Sequence, residues 1–133
     1  MYLIDTYAII WFLEGNPDLS PKAKNIIENE AEKITVSCIS FWELAIKLSI
    51  GKLILEYPLD KIITSVEALW NVSYNLNPGI FHLIENMPFP KSNGIEHRDP
   101  FDRMLISQAI TNNLQIISCD EKFDLYQSIK RIW

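Results

Sequence analysis

The stretch YLIDTYAIIWFLEGNP, residues 2–17, changes its apolar rhythm within a few positions. Tyr2-Leu3-Ile4 is a short continuous apolar run, which reads as a strand opening almost at the first residue. Ala8, Ile9, Trp11, Phe12 and Leu13 then recur at helical spacing, and Gly15-Asn16-Pro17 stops them. A strand passes directly into a helix, with an ionisable residue, Asp5, at the join.

The same alternation continues outward from there. Ser20-Pro21 reads as an N-cap and first-turn pair for a helix carrying Ala23, Ile26 and Ile27. Ile34-Thr35-Val36-Ser37 is β-branched and strand-like. Ser40 to Ile50 is an amphipathic helix, closed by Gly51 with Lys47 and Lys52 near its C-terminal end. Leu59 to Trp70 reads as a further helix and Val72 to Leu76 as an alternating strand. Asn77-Pro78 opens a helix to about Asn86, and residues 87–98, rich in Pro, Asn, Ser and Gly, read as a loop. Asp99-Pro100 begins a long helix to about Asn113. A strand over Gln115–Ser118, a short helix through Phe123 and Leu125, and a last strand over Ser128–Ile132 complete the pattern. Strands alternating with helices predict an α/β fold, one domain over residues 1–133, with a mainly parallel sheet and helices on both faces.

Bulk properties narrow the function. A chain of 133 residues, 48% apolar and 22% charged, has the composition of one globular domain. It shows no internal repeat, no apolar run long enough to span a bilayer and no secretory signal pattern, so a cytoplasmic protein is expected. Cys38 and Cys119 have no CxxC partner and read as small, partly buried side chains. Seventeen carboxylates against twelve Lys and Arg give a net charge of −5, the opposite of the basic footprint of a protein that coats nucleic acid. Nucleic-acid chemistry here would have to bring its own positive charge, and a divalent cation is the obvious source.

In a parallel α/β sheet the active crevice lies beyond the carboxyl ends of the strands. Four carboxylates fall there. Asp5 ends the first strand, Glu43 is placed in the first turn of the helix after the second, Asp102 lies in the first turn of the long helix, and Asp120 follows the strand ending at Ser118. Right-handed crossovers bring these ends to one edge of the sheet. Converging carboxylates repel one another unless they share protons or surround a cation, and Mg2+ suits all-oxygen ligation. The pattern therefore points to metal-assisted phosphodiester hydrolysis.

Each residue also has a plainer explanation. Asp99 before Pro100 is a natural N-cap, and Asp102 favours the helix dipole. Ser40-x-x-Glu43 matches a capping box, and Asp120 would cap the short helix that follows. Asp5 is the hardest to explain by stability alone. Other chemistries lack parts. There is no GxSxG elbow, no glycine-rich phosphate loop and no zinc-ligand spacing around His82, read as a helix-surface residue, or His97, read as a loop residue. A dehalogenase-like phosphatase would need an aspartate where Tyr7 stands, and a receiver domain a lysine near Asp120. The aromatic residues Trp11, Phe12, Phe41 and Trp42 fall at helical spacing, which marks core or subunit surface before base stacking.

At these residues the sequence resembles a known family. Leu3-Ile4-Asp5-Thr6, the run Ser40 to Lys47, the run His97 to Ile106, and Ile117-Ser118-Cys119-Asp120 are similar, in order, to the successive motifs of PIN-domain proteins, most of all the VapC-like toxins of bacterial toxin–antitoxin pairs. The likeness spans essentially the whole chain and is most specific from His97 to Ile106. It implies a five-stranded parallel sheet flanked by helices and an acidic magnesium site, with manganese as a substitute. It also implies endoribonuclease activity on single-stranded or structured RNA, a homodimer, and a small antitoxin whose tail inhibits the nuclease. On this resemblance Asp5, Glu43 and Asp102 take the three principal acidic positions, Asp120 a fourth and more variable one, and Asp99 an accessory one. Thr6 takes the hydroxyl position beside the first aspartate. One of Arg98 and Arg103, with Lys47, is expected to hold RNA phosphate near the metal. The plainer alternative is that these are exposed charges paired with carboxylates such as Glu96. A PIN scaffold that binds RNA or protein without cutting stands as the rival function.

Overall fold

The strand Tyr2–Ile4 (β1) lies at the centre of the main sheet, and its position dictates where the crevice opens. In the computed structural model, which describes Met1–Trp133, the chain leaves β1 through helices Thr6–Leu13 (α1) and Pro21–Asn29 (α2) and enters strand Ile34–Ser37 (β2). Helices Cys38–Ser49 (α3) and Leu59–Leu69 (α4) lead to Asn71–Ser73 (β3). The chain returns over Gly79–Asn86 (α5), a hairpin of Lys91–Ser92 (β4) and Ile95–Glu96 (β5), and Pro100–Thr111 (α6). It then enters Gln115–Ile117 (β6) and ends at Arg131–Ile132 (β7). The five-stranded sheet has the order β3-β2-β1-β6-β7 with every pairing parallel. This is the α/β architecture read from the sequence.

A central parallel strand is buried on both faces, which is why β1 has no polar alternation. Ile4 packs into a core with Ala8, Ile9, Ile27, Leu44, Ile62 and Val66, drawn from α1 to α4. Leu3 points the other way, into a second core with Leu105, Ile106, Ala109 and Phe123. Helices therefore cover both faces. In register, Ile4 is flanked by Val36 of β2 and Ile117 of β6. The chain builds outward from β1 to β3, then crosses back to add β6 and β7 on the other side. The order reverses between β1 and β6, and a crevice forms at such a switch point, past the strands' carboxyl ends.

Several local expectations hold. The Ser20 side chain accepts the Ala23 amide at 3.1 Å with Pro21 in the first turn, and Asp99 caps α6. Others need correction. Helix α3 starts at Cys38 and its cap is Ser37, whose hydroxyl accepts the Ile39 amide. The Ser40 capping box is therefore not formed, and Glu43 sits in the second turn. Strand β3 stops at Ser73 because its neighbour β2 ends at Ser37, opposite it, leaving nothing to pair with Tyr74 to Leu76. The last strand is confined to Arg131–Ile132, since Ile129 is still engaged in a turn with Tyr126. Residues 87–98 are not all loop. Asn93 and Gly94 both adopt left-handed backbone, with φ of 51° and 78°, and turn β4 back on β5. No helix is long and apolar enough to cross a membrane.

Candidate active site

Asp5 stands one residue beyond β1, where the switch point opens, and caps α1. Its Oδ1 accepts the Thr6 amide at 2.7 Å, and its Oδ2 accepts the Ser118 hydroxyl at 2.7 Å. Ser118 occupies the matching place after β6, and its Oγ also accepts the Asp120 amide at 3.0 Å. Asp5 is only 4% exposed. Burial pushes its carboxyl up to about 7; the Ser118 hydrogen bond works against this, while the charges of Asp102 and Glu43 add to it.

Glu43 reaches the same crevice from α3. Its Oε2 accepts the Thr6 hydroxyl at 2.6 Å, and its Oε1 meets Lys47 Nζ at 2.5 Å, one helical turn further on. Lys47 also lies over the Tyr7 ring, 4.7 Å from its centroid. The first turn of α1 thus supplies Thr6, which ties Glu43 to the segment holding Asp5.

Asp102 enters from the first turn of α6. Asp99 caps that turn through Oδ1, accepting the Phe101 and Asp102 amides at 2.9 and 3.2 Å. Asp102 Oδ2 pairs with His97 Nε2 at 2.9 Å. Burial pushes the Asp102 carboxyl to about 7, and Asp99, Asp120 and Glu43 raise it further by charge. Asp120 caps the single turn Glu121–Leu125, accepting the Lys122 amide at 2.8 Å. The structure brings Asp5, Glu43 and Asp102 within mutual electrostatic reach, and Asp120 and Asp99 within reach of Asp102. It does not close them into a ready ligand set: no three His, Cys, Asp or Glu side chains are grouped so as to hold a metal ion. Glu43 is turned toward Thr6 and Lys47 instead.

The basic residues divide. Arg103 does not face substrate. It is buried, donating to the carbonyls of Ile84, Met87 and Pro88 at the C-terminal end of α5 and lying over the Phe89 ring. The expectation that it holds phosphate is corrected: three orphan carbonyls claim its guanidinium. Arg98 is exposed and paired with Glu96, as the plainer reading had it. Lys47 remains close to the carboxylates. Three residues of the site were not singled out from the sequence. Ser118 was visible as a hydroxyl at a strand end. His97, read as a loop residue, is buried, and its Nδ1 meets the Tyr126 hydroxyl at 2.9 Å; neither partner leaves a local pattern.

The donors available, Asp5, Glu43, Asp102 and Asp120, are all carboxylate oxygens, which suit a hard divalent cation that keeps several of its waters. Two of them, Asp5 and Asp102, have their carboxyls pushed up to about 7, first by burial and then by neighbouring carboxylates. A cation would relieve both effects, so the residues present fit such an ion.

A family model described as the PIN domain matches residues 2–128. Among solved structures, the chain is similar to one in the VapBC2 structure from Rickettsia felis, bound to a DNA fragment from its promoter. The TM-score is 0.67 at 15% identity, covering 98% of this chain and 96% of that one. It is similar also to a chain of VapBC-1 from nontypeable Haemophilus influenzae, with a TM-score of 0.65 at 20% identity, covering 98% and 96%. A toxin–antitoxin complex from Klebsiella pneumoniae gives 0.65 at 14%, covering 97% and 95%. At these identities the likeness is one of fold. No protein of curated function matches the chain in sequence.

Proposed function

The chain belongs to the PIN-domain family, and from that premise we propose that it is a magnesium-dependent endoribonuclease, the toxin of a toxin–antitoxin pair. The observation that carries this reading is the convergence of Asp5, Glu43 and Asp102 at the switch point, where burial and acidic neighbours push the carboxyls of Asp5 and Asp102 up to about 7. Burying that much negative charge without a counter-ion is unfavourable, and the unfavourable energy becomes binding energy for a cation.

Asp5 and Asp102 are the residues that would hold the ion, with Glu43 and Asp120 beside them. When bound, Mg2+ or a substituting Mn2+ supplies Lewis acidity toward the phosphodiester and lowers the pKa of a water. The chain's own residues do the rest. Ser118 and the Thr6 amide fix both oxygens of Asp5, so that it meets the ion without reorganising. Thr6 orients Glu43 through Oε2. Lys47 supplies a positive charge beside Glu43 for a substrate phosphate. With a net charge of −5, approach of RNA to this edge depends on the cation and on these few positive groups.

The antitoxin belongs to the same reading, because the structures this fold resembles include toxin–antitoxin assemblies. Trp42 and Ile46 on α3 and Ile50 at its C-cap are exposed one turn apart, a surface suited to a homodimer or a protein partner. RNA as substrate implies activity in the cytoplasm.

One observation favours the rival, a PIN scaffold that binds without cutting: Glu43 is engaged by Lys47, and no ligand set is closed. One experiment separates the two. Mixed-sequence single-stranded RNA is incubated with the protein in Mg2+, then with a chelator, and again with the Asp5→Asn protein. Cleavage in the first case and none in the others is expected. Cleavage indifferent to both changes overturns the metal mechanism, and RNA bound but uncut in Mg2+ and Mn2+ favours the scaffold.

A further inference from the structure

His97 and Tyr126 lie outside the acidic set, yet they bear directly on it. His97 follows the β4–β5 hairpin in a polar stretch, where an exposed ring would be ordinary, as it is for His82 on α5. Instead His97 is 5% exposed and both ring nitrogens are used: Nδ1 with the Tyr126 hydroxyl at 2.9 Å, and Nε2 with Asp102 Oδ2 at 2.9 Å. The two rings meet edge to face, 5.6 Å between centroids. Packing alone would be served by an apolar ring, because every buried nitrogen adds a demand for a partner.

The donor and acceptor roles follow from chemistry. A neutral imidazole has one N–H and one lone pair. Tyr126 is buried, so its phenol keeps its proton and donates to Nδ1. With Asp102 ionised, as a bound cation would keep it, Nε2 carries the ring proton and donates to Asp102 Oδ2. The opposite tautomer would set a lone pair against a carboxylate. Asp102 Oδ1 accepts no hydrogen bond from the chain, so one oxygen is held and the other is left open.

We propose that His97 and Tyr126 are positioning residues, a relay from the Tyr126 hydroxyl through the His97 ring that fixes the Asp102 carboxylate and turns its open oxygen to a divalent cation. The inference rests on the reading of this edge as a cation site. It assigns a task to two residues 29 positions apart in sequence, with α6 and β6 between them. The second contact of a carboxylate that meets a metal commonly governs affinity by 10- to 100-fold.

The test is Mn2+ binding by titration calorimetry at a temperature well below melting, on the parent, Tyr126→Phe, His97→Gln and His97→Asn, with the melting temperature of each taken alongside. Tyr126→Phe keeps the ring and removes the hydroxyl; it is expected to weaken Mn2+ by about 10-fold. The amide nitrogen of Gln falls near the place of Nε2, so His97→Gln retains most of the affinity. That of Asn falls near Nδ1, so His97→Asn loses at least as much as Tyr126→Phe. A role in packing alone lowers the melting temperatures and leaves Mn2+ affinity unchanged in every variant; that result overturns the relay, as does equal loss in the Gln and Asn variants. If His97→Asn does not fold, Tyr126→Phe decides. Failure of the parent to take up Mn2+ overturns the cation site itself and not merely the relay.

Discussion

Ser118 Oγ donates to Asp5 Oδ2 at 2.7 Å across 113 positions of sequence, joining the carboxyl ends of β6 and β1 where the strand order reverses. The same oxygen accepts the Asp120 amide, so one hydroxyl aligns the first and last acidic residues of the site. Ser118→Ala removes both contacts. It is expected to lower the stability of the metal-free protein by about 1 kcal/mol and to raise the Mg2+ concentration for half-maximal RNA cleavage by about 10-fold. Denaturant titration and a Mg2+ dependence of cleavage measure the two effects.

Asp5 and Asp102 set the pH dependence of the metal-free protein. Both carboxyls are raised on folding from 3.8 to about 7, so the folded chain holds protons that the unfolded chain releases. Their contribution to stability is complete below about pH 4, declines as pH rises toward 7, and is gone above it. Asp5→Asn or Asp102→Asn flattens that decline. Either change stabilises the chelated protein at pH 8 by roughly 2–4 kcal/mol, since each tenfold change in a carboxylate's proton affinity is worth about 1.4 kcal/mol. Urea titrations in chelator between pH 4 and 8.5 measure the effect. An unchanged pH slope in both variants would contradict it.

On the proposed function, Mg2+ is expected to act on the same two groups with the opposite sign. An ion that binds the folded chain and not the unfolded one, at pH 8 and at 100 times its dissociation constant, stabilises by about 2.7 kcal/mol. A thermal melt with and without Mg2+ should show a clear upward shift in the parent and little in Asp5→Asn or Asp102→Asn.

Lys47 is paired with Glu43, so on the proposed function it is expected to compete with the cation for that carboxylate. Lys47→Met removes one positive charge from beside the carboxylates, and it is expected to lower the Mg2+ concentration for half-maximal cleavage. It also removes a charge for the substrate phosphate, so KM for RNA rises. The two parameters moving in opposite directions are the signature to look for.

Arg103 and Arg98 separate structure from surface. Arg103→Met strips the partners from the Ile84, Met87 and Pro88 carbonyls and is expected to cost about 3 kcal/mol of stability. Arg98→Ala loses an exposed pair with Glu96 and should change stability by about 0.5 kcal/mol or less. Denaturant midpoints on the two variants test the contrast.

What the sequence made legible was whatever depends on near neighbours. Tyr2 to Asp5 announced a buried strand with a carboxylate at its end, and Ser20-Pro21 and Asp99-Pro100 marked two helix starts, because caps and periodicity are local. The misread places depend on distant partners. Ser40-x-x-Glu43 has the form of a capping box, but the strand before it ends in Ser37, which takes the cap first. Asn93-Gly94 is a hairpin turn whose strands, two residues each, are too short to give an alternating pattern. Arg103 looked like a free charge because its carbonyl partners lie 15 to 19 positions away. His97 does lie in a loop, but its burial could not be read locally because Tyr126 is 29 positions away. The acidic residues, Thr6 and Lys47 could be proposed from their places in the sequence; that the Ser118 hydroxyl and the His97 ring hold Asp5 and Asp102 is visible only in the packing.

A crystal soaked in Mn2+ and read by anomalous difference density examines the cation site without relying on turnover. A single strong peak in contact with both Asp5 and Asp102 is expected, weakened or lost in Asp5→Asn. Density at some other place on the surface, or none at these two carboxylates with Mn2+ in excess, would contradict it.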